Sequence, residues 1–163
     1  MHSVSDSQIG FIGLGNMGKP MARHLMVAGA RITLFNRSKQ VLEELQGEGA
    51  DVASCPREVA QRVEDGLIFL SLPNAGSVTE VVEGGTGLFA GLAAGSKVVD
   101  MGSTAVEPTR EWYQKAISMG SDWIDAPVSG GQKGAREANL TIMAGGREES
   151  VDAIRPVLEI LGT

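Results

Sequence analysis

A chain of 163 residues, 42% hydrophobic and 21% charged, suits one ordinary domain with a sizeable core and excludes a disordered or fibrous protein. Its net charge of -6 argues against nucleic acid as the main partner, because phosphate binding needs a basic face. The longest apolar run, LIFLSL, is too short to span a bilayer, and the polar start MHSVSDSQ carries no signal-peptide pattern, so a cytoplasmic protein with no membrane partner is expected.

Residues 1–7 are expected to be a flexible start and residues 8–163 one domain. Residues 9–12 read as a buried strand, after which Met17, Met21, Leu25 and Ala28 recur at helical spacing. Gly29 stops that helix, and RITLF (31–35) is the next strand. Ser38 can cap a helix whose inward face is Val41, Leu42 and Leu45. ADVAS (50–54) is a short third strand, and residues 56–63 form a short helix. GLIFLSLP (66–73) is an apolar strand of the kind covered on both faces of a parallel sheet. Residues 77–83 make a turn or two of helix, and GGTGLFAGLAAG is loop. A fifth strand follows at 97–103, then a helix at 107–119 with Pro108 in its first turn. DWIDAPV and LTIMAG are two more strands joined by the loop SGGQKGAREAN, and the last helix spans 148–161. This alternation predicts a single α/β domain, a Rossmann-type doubly wound, mostly parallel sheet for at least the first five strands. The final two strands, with no helix between them, are expected to pair antiparallel at one edge.

The glycines Gly13, Gly15 and Gly18 form a GxGxxG loop between a predicted strand and a predicted helix, the context a dinucleotide loop requires. Gly13 permits the tight turn, Gly15 lets the backbone approach a pyrophosphate, and Gly18 lets helix and strand pack closely. The helix start favours the phosphates through its free N–H groups. Leu14, Asn16 and Met17 complete the predicted cofactor loop, although Met17, Met21 and Leu25 also have core spacing, and His24 reads as a helix-surface residue. A plain glycine-rich turn is the competing reading. At the end of the second strand an NAD site usually carries an acidic residue. Here Asn36, Arg37 and Ser38 stand instead. Arg37 can pair with a 2′-phosphate, helped by the Ser38 hydroxyl and the Asn36 amide, so NADP is the expected cofactor. A solvated arginine followed by a helix cap is the alternative.

Cys55 is the only cysteine and His2 and His24 the only histidines, so neither a disulfide nor a metal site is expected.

Taken together, IGFIGLGNMGKPMARHL, FNRS, LSLPN, DMGST and DAPVSGGQKGA resemble the β-hydroxyacid dehydrogenase family, which includes 3-hydroxyisobutyrate dehydrogenase, tartronate semialdehyde reductase and glyoxylate/succinic semialdehyde reductases. The resemblance covers nearly the whole chain from Gln8 onward. Imine reductases are similar at the glycine loop and the Asn-Arg pair but lack DAPVSGG. The resemblance implies that Leu72 and Pro73 border the cofactor, that Val78 packs near the adenine, and that Thr104 contacts the nicotinamide ribose region. It also implies that Ser129, Gly130 and Gly131 hold the carboxylate of a small substrate, as successive N–H groups in a glycine-rich turn can. Asp100 and Asp125 read as strand ends or turn caps. One departure is that Ala138-Asn139 stands where the family commonly has Gly-Thr.

The family further implies a helical domain beyond Thr163, carrying a catalytic lysine and often making a dimer. No catalytic residue is therefore expected within these residues, since Lys115 and Lys133 are not in that context, and the full-length protein is expected to be a homo-oligomer. The implied function is the NADP-binding domain of an oxidoreductase that moves hydride between NADP(H) and a small β-hydroxy acid or semialdehyde, inactive alone. Alternatives are a non-catalytic NADP-binding or interaction module, and an imine reductase.

Overall fold

The computed structural model describes residues 4–63 and 66–163. Residues 1–3, with His2 and the first part of the expected flexible start, lie outside the described residues, as do Glu64 and Asp65. Residues 4–7 turn against the chain behind them: the Asp6 N–H donates to the Gly29 carbonyl and the Arg31 N–H to that of Ser7.

The chain runs β1 (Gln8–Ile12), α1 (Gly18–Val27), β2 (Arg31–Phe35), α2 (Lys39–Gly47), β3 (Asp51–Val52), α3 (Pro56–Arg62), β4 (Leu67–Leu70) and α4 (Ala75–Val82). It continues with β5 (Lys97–Asp100), α5 (Val106–Ser118), β6 (Asp122–Asp125), β7 (Val128–Ser129), α6 (Gly131–Glu137), β8 (Thr141–Ile142) and α7 (Glu148–Leu158). The main sheet has the order β3-β2-β1-β4-β5-β6, every neighbouring pair parallel. Strand order thus reverses beside β1, opening a crevice at the carboxyl ends of β1 and β4 where such sheets bind ligands.

Side-chain alternation sorts the core into two layers. Ile9, Phe11, Leu67, Phe69, Val99 and Ile124 point to one face, where Met21, Leu25 and Leu45 of α1 and α2 and Ile154 of α7 cover them. Ile12, Ile68, Leu70, Val98 and Trp123 point to the other, under Val59 of α3, Val78 and Val82 of α4 and Trp112 of α5. The period of two in the strands and the helical spacing in between produce this double winding.

Three expectations change. DWIDAPV does not pair as a whole with LTIMAG. Its first half is β6, parallel to β5 from Lys97↔Asp122 to Asp100↔Asp125, so a sixth strand joins the parallel sheet. Only Val128–Ser129 pairs antiparallel, with Thr141–Ile142, in a separate two-stranded sheet. Pro127, which has no N–H to donate, marks the break. The loop between those strands also contains α6, which lies against α1. Its inward positions are Gly134 and Ala135, too small to stand out as an apolar stripe. Within the expected loop 84–95, Leu88–Ala90 form a 3₁₀ turn that buries Leu88 and Phe89.

Candidate dinucleotide cleft and the adjoining turn

Three glycines shape the crevice in different ways. Gly13 has φ +94°, and a Cβ there would lie 2.2 Å from the Ser71 carbonyl oxygen. A Cβ at Gly18 would lie 1.9 Å from the Gly13 carbonyl oxygen. Both absences are therefore demanded by the protein's own backbone. Gly15 is different. A Cβ there would meet nothing within 4 Å, and its φ lies outside the left-handed region. It is exposed at the crevice, and nothing in the fold requires a glycine there.

The crevice is a cleft of about 370 Å³. Its floor is residues 12–17, one wall is residues 35–37 at the end of β2, and the other is residues 71–73 after β4 with Ser77, Glu80 and Val81 of α4. Of the predicted cofactor residues, Gly13, Leu14, Gly15, Asn16, Met17, Asn36, Arg37, Leu72 and Pro73 meet here. Gly18 lies behind the floor as packing. Ser38 faces a second cleft between α1 and α2, and although it stands at the N-cap of α2 its hydroxyl makes no capping bond.

Asn36 has a more particular task than sequence suggests. Its Oδ1 accepts the Leu14 N–H at 3.0 Å, tying the glycine loop to the end of β2. The Asn36 Nδ2 donates to the Ser38 carbonyl at 3.3 Å, so the amide is already engaged. Arg37 is left to project from the wall with its side chain 88% exposed, 3.7 Å from Glu80.

Val78 does not reach the cleft. It is fully buried with Val82 in the core, one turn apart on the inward face of α4. The outward face of that helix supplies Ser77, Glu80 and Val81 instead, a spacing of three and four that could have been read from the sequence. Asn74 anchors the helix: its Oδ1 accepts the Ser77 N–H at 2.9 Å. Ile12, Phe35 and Ser71 also line the cleft without having been singled out.

Thr104 is absent from the cleft wall, and its hydroxyl donates to Asp100 Oδ2 at 3.0 Å. Asp100 is completely buried, and its Oδ1 accepts the Gly102 N–H. Burial pushes this carboxyl up to about 6, opposed by those two hydrogen bonds and reinforced by Asp125. Asp125 sits opposite on β6, and burial raises it too. Asp100 thus organises the turn 101–104 from beneath, in line with a turn-capping role.

Ser129, Gly130 and Gly131 form an exposed turn from β7 into α6, with φ +132° at Gly130 and +60° at Gly131. None of these three residues lines the cleft, and α6, into which they lead, is tied to α1 by His24. His24 is half-buried, with its Nε2 3.0 Å from both the Ala135 and the Arg136 carbonyl oxygens at the end of α6. Since carbonyls only accept, that nitrogen carries the proton. The residue expected to lie on the surface of α1 instead clasps α6. Sequence could not show this, because α6 buries only glycine and alanine and carries no apolar stripe. Ala138 closes α6 in the left-handed conformation, φ 52°, ψ 42°.

Among the described residues no group of three or more His, Cys, Asp or Glu could hold a metal, and no helix is long and apolar enough to cross a membrane.

A parallel sheet in this strand order, with a glycine loop at the strand reversal, defines a dinucleotide-binding domain. The chain belongs to the family described as the NAD binding domain of 6-phosphogluconate dehydrogenase, which its residues 8–163 match. It is 41% identical over 155 residues to 2-(hydroxymethyl)glutarate dehydrogenase of Eubacterium barkeri, covering 95% of this chain and 51% of that one. It is 38% identical to the mitochondrial 3-hydroxyisobutyrate dehydrogenase of Mus musculus, covering 98% and 47%. Among solved structures, 3-hydroxyisobutyrate dehydrogenase of Mycobacterium tuberculosis with L-serine superposes with a TM-score of 0.88 at 32% identity, covering 96% of this chain and 52% of that one. Psf3 in complex with NADP+ and 2-OPP superposes at 0.89 with 31% identity, covering 94% and 54%. An imine reductase of Streptomyces aurantiacus shares the fold at 0.83, but with 25% identity, covering 95% and 53%. The hydroxyacid dehydrogenases are thus the nearer kin, and the chain spans about half the length of the curated relatives it matches.

Proposed function

We propose that this chain binds NADP(H) in preference to NAD(H), as the dinucleotide-binding part of an oxidoreductase acting on a small β-hydroxy acid or semialdehyde. The observation that carries the reading is Gly15, a glycine that no contact within the protein requires at the lip of the cleft. An open space above a backbone at the head of α1 fits a pyrophosphate, which the N–H groups there attract. The dinucleotide, when bound, supplies or accepts the hydride. The chain's own residues then orient it: the glycine loop holds the phosphates, and Leu72 and Pro73 border it. Arg37, exposed and carrying no acidic neighbour on β2, pairs with the 2′-phosphate. The NADP+ held by the Psf3 structure favours the same choice. Ser129, Gly130 and Gly131 take the substrate carboxylate through a hydroxyl and backbone N–H groups.

The test is a fluorescence titration of NADPH and NADH. Gly15→Ala should weaken NADPH at least about ten-fold while leaving the unfolding midpoint unchanged, because the added methyl occupies ligand space and nothing else. Arg37→Ala should cost NADPH about 1.5–3 kcal/mol, the range for a hydrogen bond to a charged group, with NADH nearly unaffected. Undiminished binding by the Gly15 variant, or equal wild-type affinity for the two dinucleotides, would overturn the assignment.

A further inference from the structure

We propose that Glu80 sets how strongly the cleft discriminates between the two dinucleotides, as a resident anion that competes with the 2′-phosphate for Arg37. This inference rests on the reading of Arg37 as the phosphate's partner. Two observations place Glu80 in that position. It lines the cleft from α4, across from the end of β2. Its Oε2 also lies 3.7 Å from Arg37 Nη1, so the pair spans the mouth of the cleft.

The helix that carries Glu80 is held in place. Val78 and Val82 are fully buried, and Asn74 caps the first turn. The carboxylate can rotate, but its attachment point cannot withdraw from the cleft. Its neighbour Glu83 faces a different partner, Lys115, at 2.5 Å. Arg37 and Glu80 are 88% and 70% exposed, so their attraction is weak and screened. A phosphate, with more charge and matching two-pronged geometry, outcompetes one carboxylate for a guanidinium. Binding of the phosphorylated dinucleotide therefore breaks the pair and leaves Glu80 beside a like charge. A ribose with a free 2′-hydroxyl incurs neither cost. Glu80 thus narrows the margin that Arg37 creates.

Glu80→Gln should tighten NADPH about three- to ten-fold, as expected for removing one exposed charge and its competition for Arg37, with NADH changed less than about two-fold. In an Arg37→Ala background most of that gain should vanish. A merely structural role for Glu80 would move both dinucleotides together. An unchanged ratio of the two affinities, or weaker NADPH binding, overturns the inference, provided Arg37→Ala alone still costs NADPH. If Arg37→Ala alone is silent, the assignment of the phosphate to Arg37 fails, and the inference fails with it.

Discussion

The dinucleotide cleft and the turn at residues 129–131 are neighbours in the chain's design but are held by different forces. The cleft sits at the ends of two central strands, β1 and β4, with a packed layer on each face of the sheet. Its loop is dictated by backbone contacts, with Gly13 against Ser71 and Gly18 against Gly13. The turn hangs on two-residue strands outside the main sheet and is exposed throughout. Its supports are the core contacts of Val128, Ala135 and Leu140, local backbone conformations and the His24 clasp on α6. A site whose shape comes from the core exists before its ligand arrives. A site at the rim of that core rests on fewer ties, and loosening one should matter more to it than to the cleft.

The largest expected effect lies on the cleft side. Gly18→Ala drives a methyl into the Gly13 carbonyl, and backbone cannot yield as a side chain can. A loss of about 3 kcal/mol of unfolding free energy is expected in urea titration. Gly15→Ala, three residues away, should stay within about 0.5 kcal/mol of the parent, as surface substitutions do. If the two variants are equally stable, the distinction between glycines required by the fold and by the ligand collapses.

On the other side, His24→Ala removes the donor shared by two carbonyls and should cost about 1–2 kcal/mol. Hydrogen exchange should accelerate across residues 131–137 while NADPH affinity stays near the parent value. Uniform acceleration over the whole chain would instead make His24 a general stability residue with no special claim on the turn.

The smallest effect is a gain. Ala138 holds a left-handed conformation where the resembling family commonly has glycine. Ala138→Gly relieves about 1 kcal/mol of strain but enlarges the entropy of the unfolded chain, leaving a net stabilisation of about 0.5 kcal/mol. A lower melting temperature would mean that this segment is not strained.

Much of the cleft was legible because local rules govern it. The unbroken apolar run of LIFL, the spacing of Val41, Leu42 and Leu45, and glycines between a strand and a helix each report a burial, a period or a backbone need that neighbours in sequence enforce. Nine predicted residues meet in one cleft for that reason. Position along the chain says where α4 passes and not which way each residue faces, so the burial of Val78 is decided by packing. The edge of the molecule was legible only in part. Short strands with two residues carry no usable alternation, and α6 buries glycine and alanine rather than an apolar stripe.

By itself, the sequence determined the doubly wound sheet, the glycine loop at its crevice and the presence of Arg37 without an acidic neighbour on β2. Those features follow from periodicity and from conformations open only to glycine. Tertiary structure alone decided that Asn36 holds the loop and that His24 reaches α6. It also brought Glu80 to face Arg37 across the cleft. These pairings join residues from separate elements, and only the packing of those elements brings such groups within hydrogen-bond or ion-pair range.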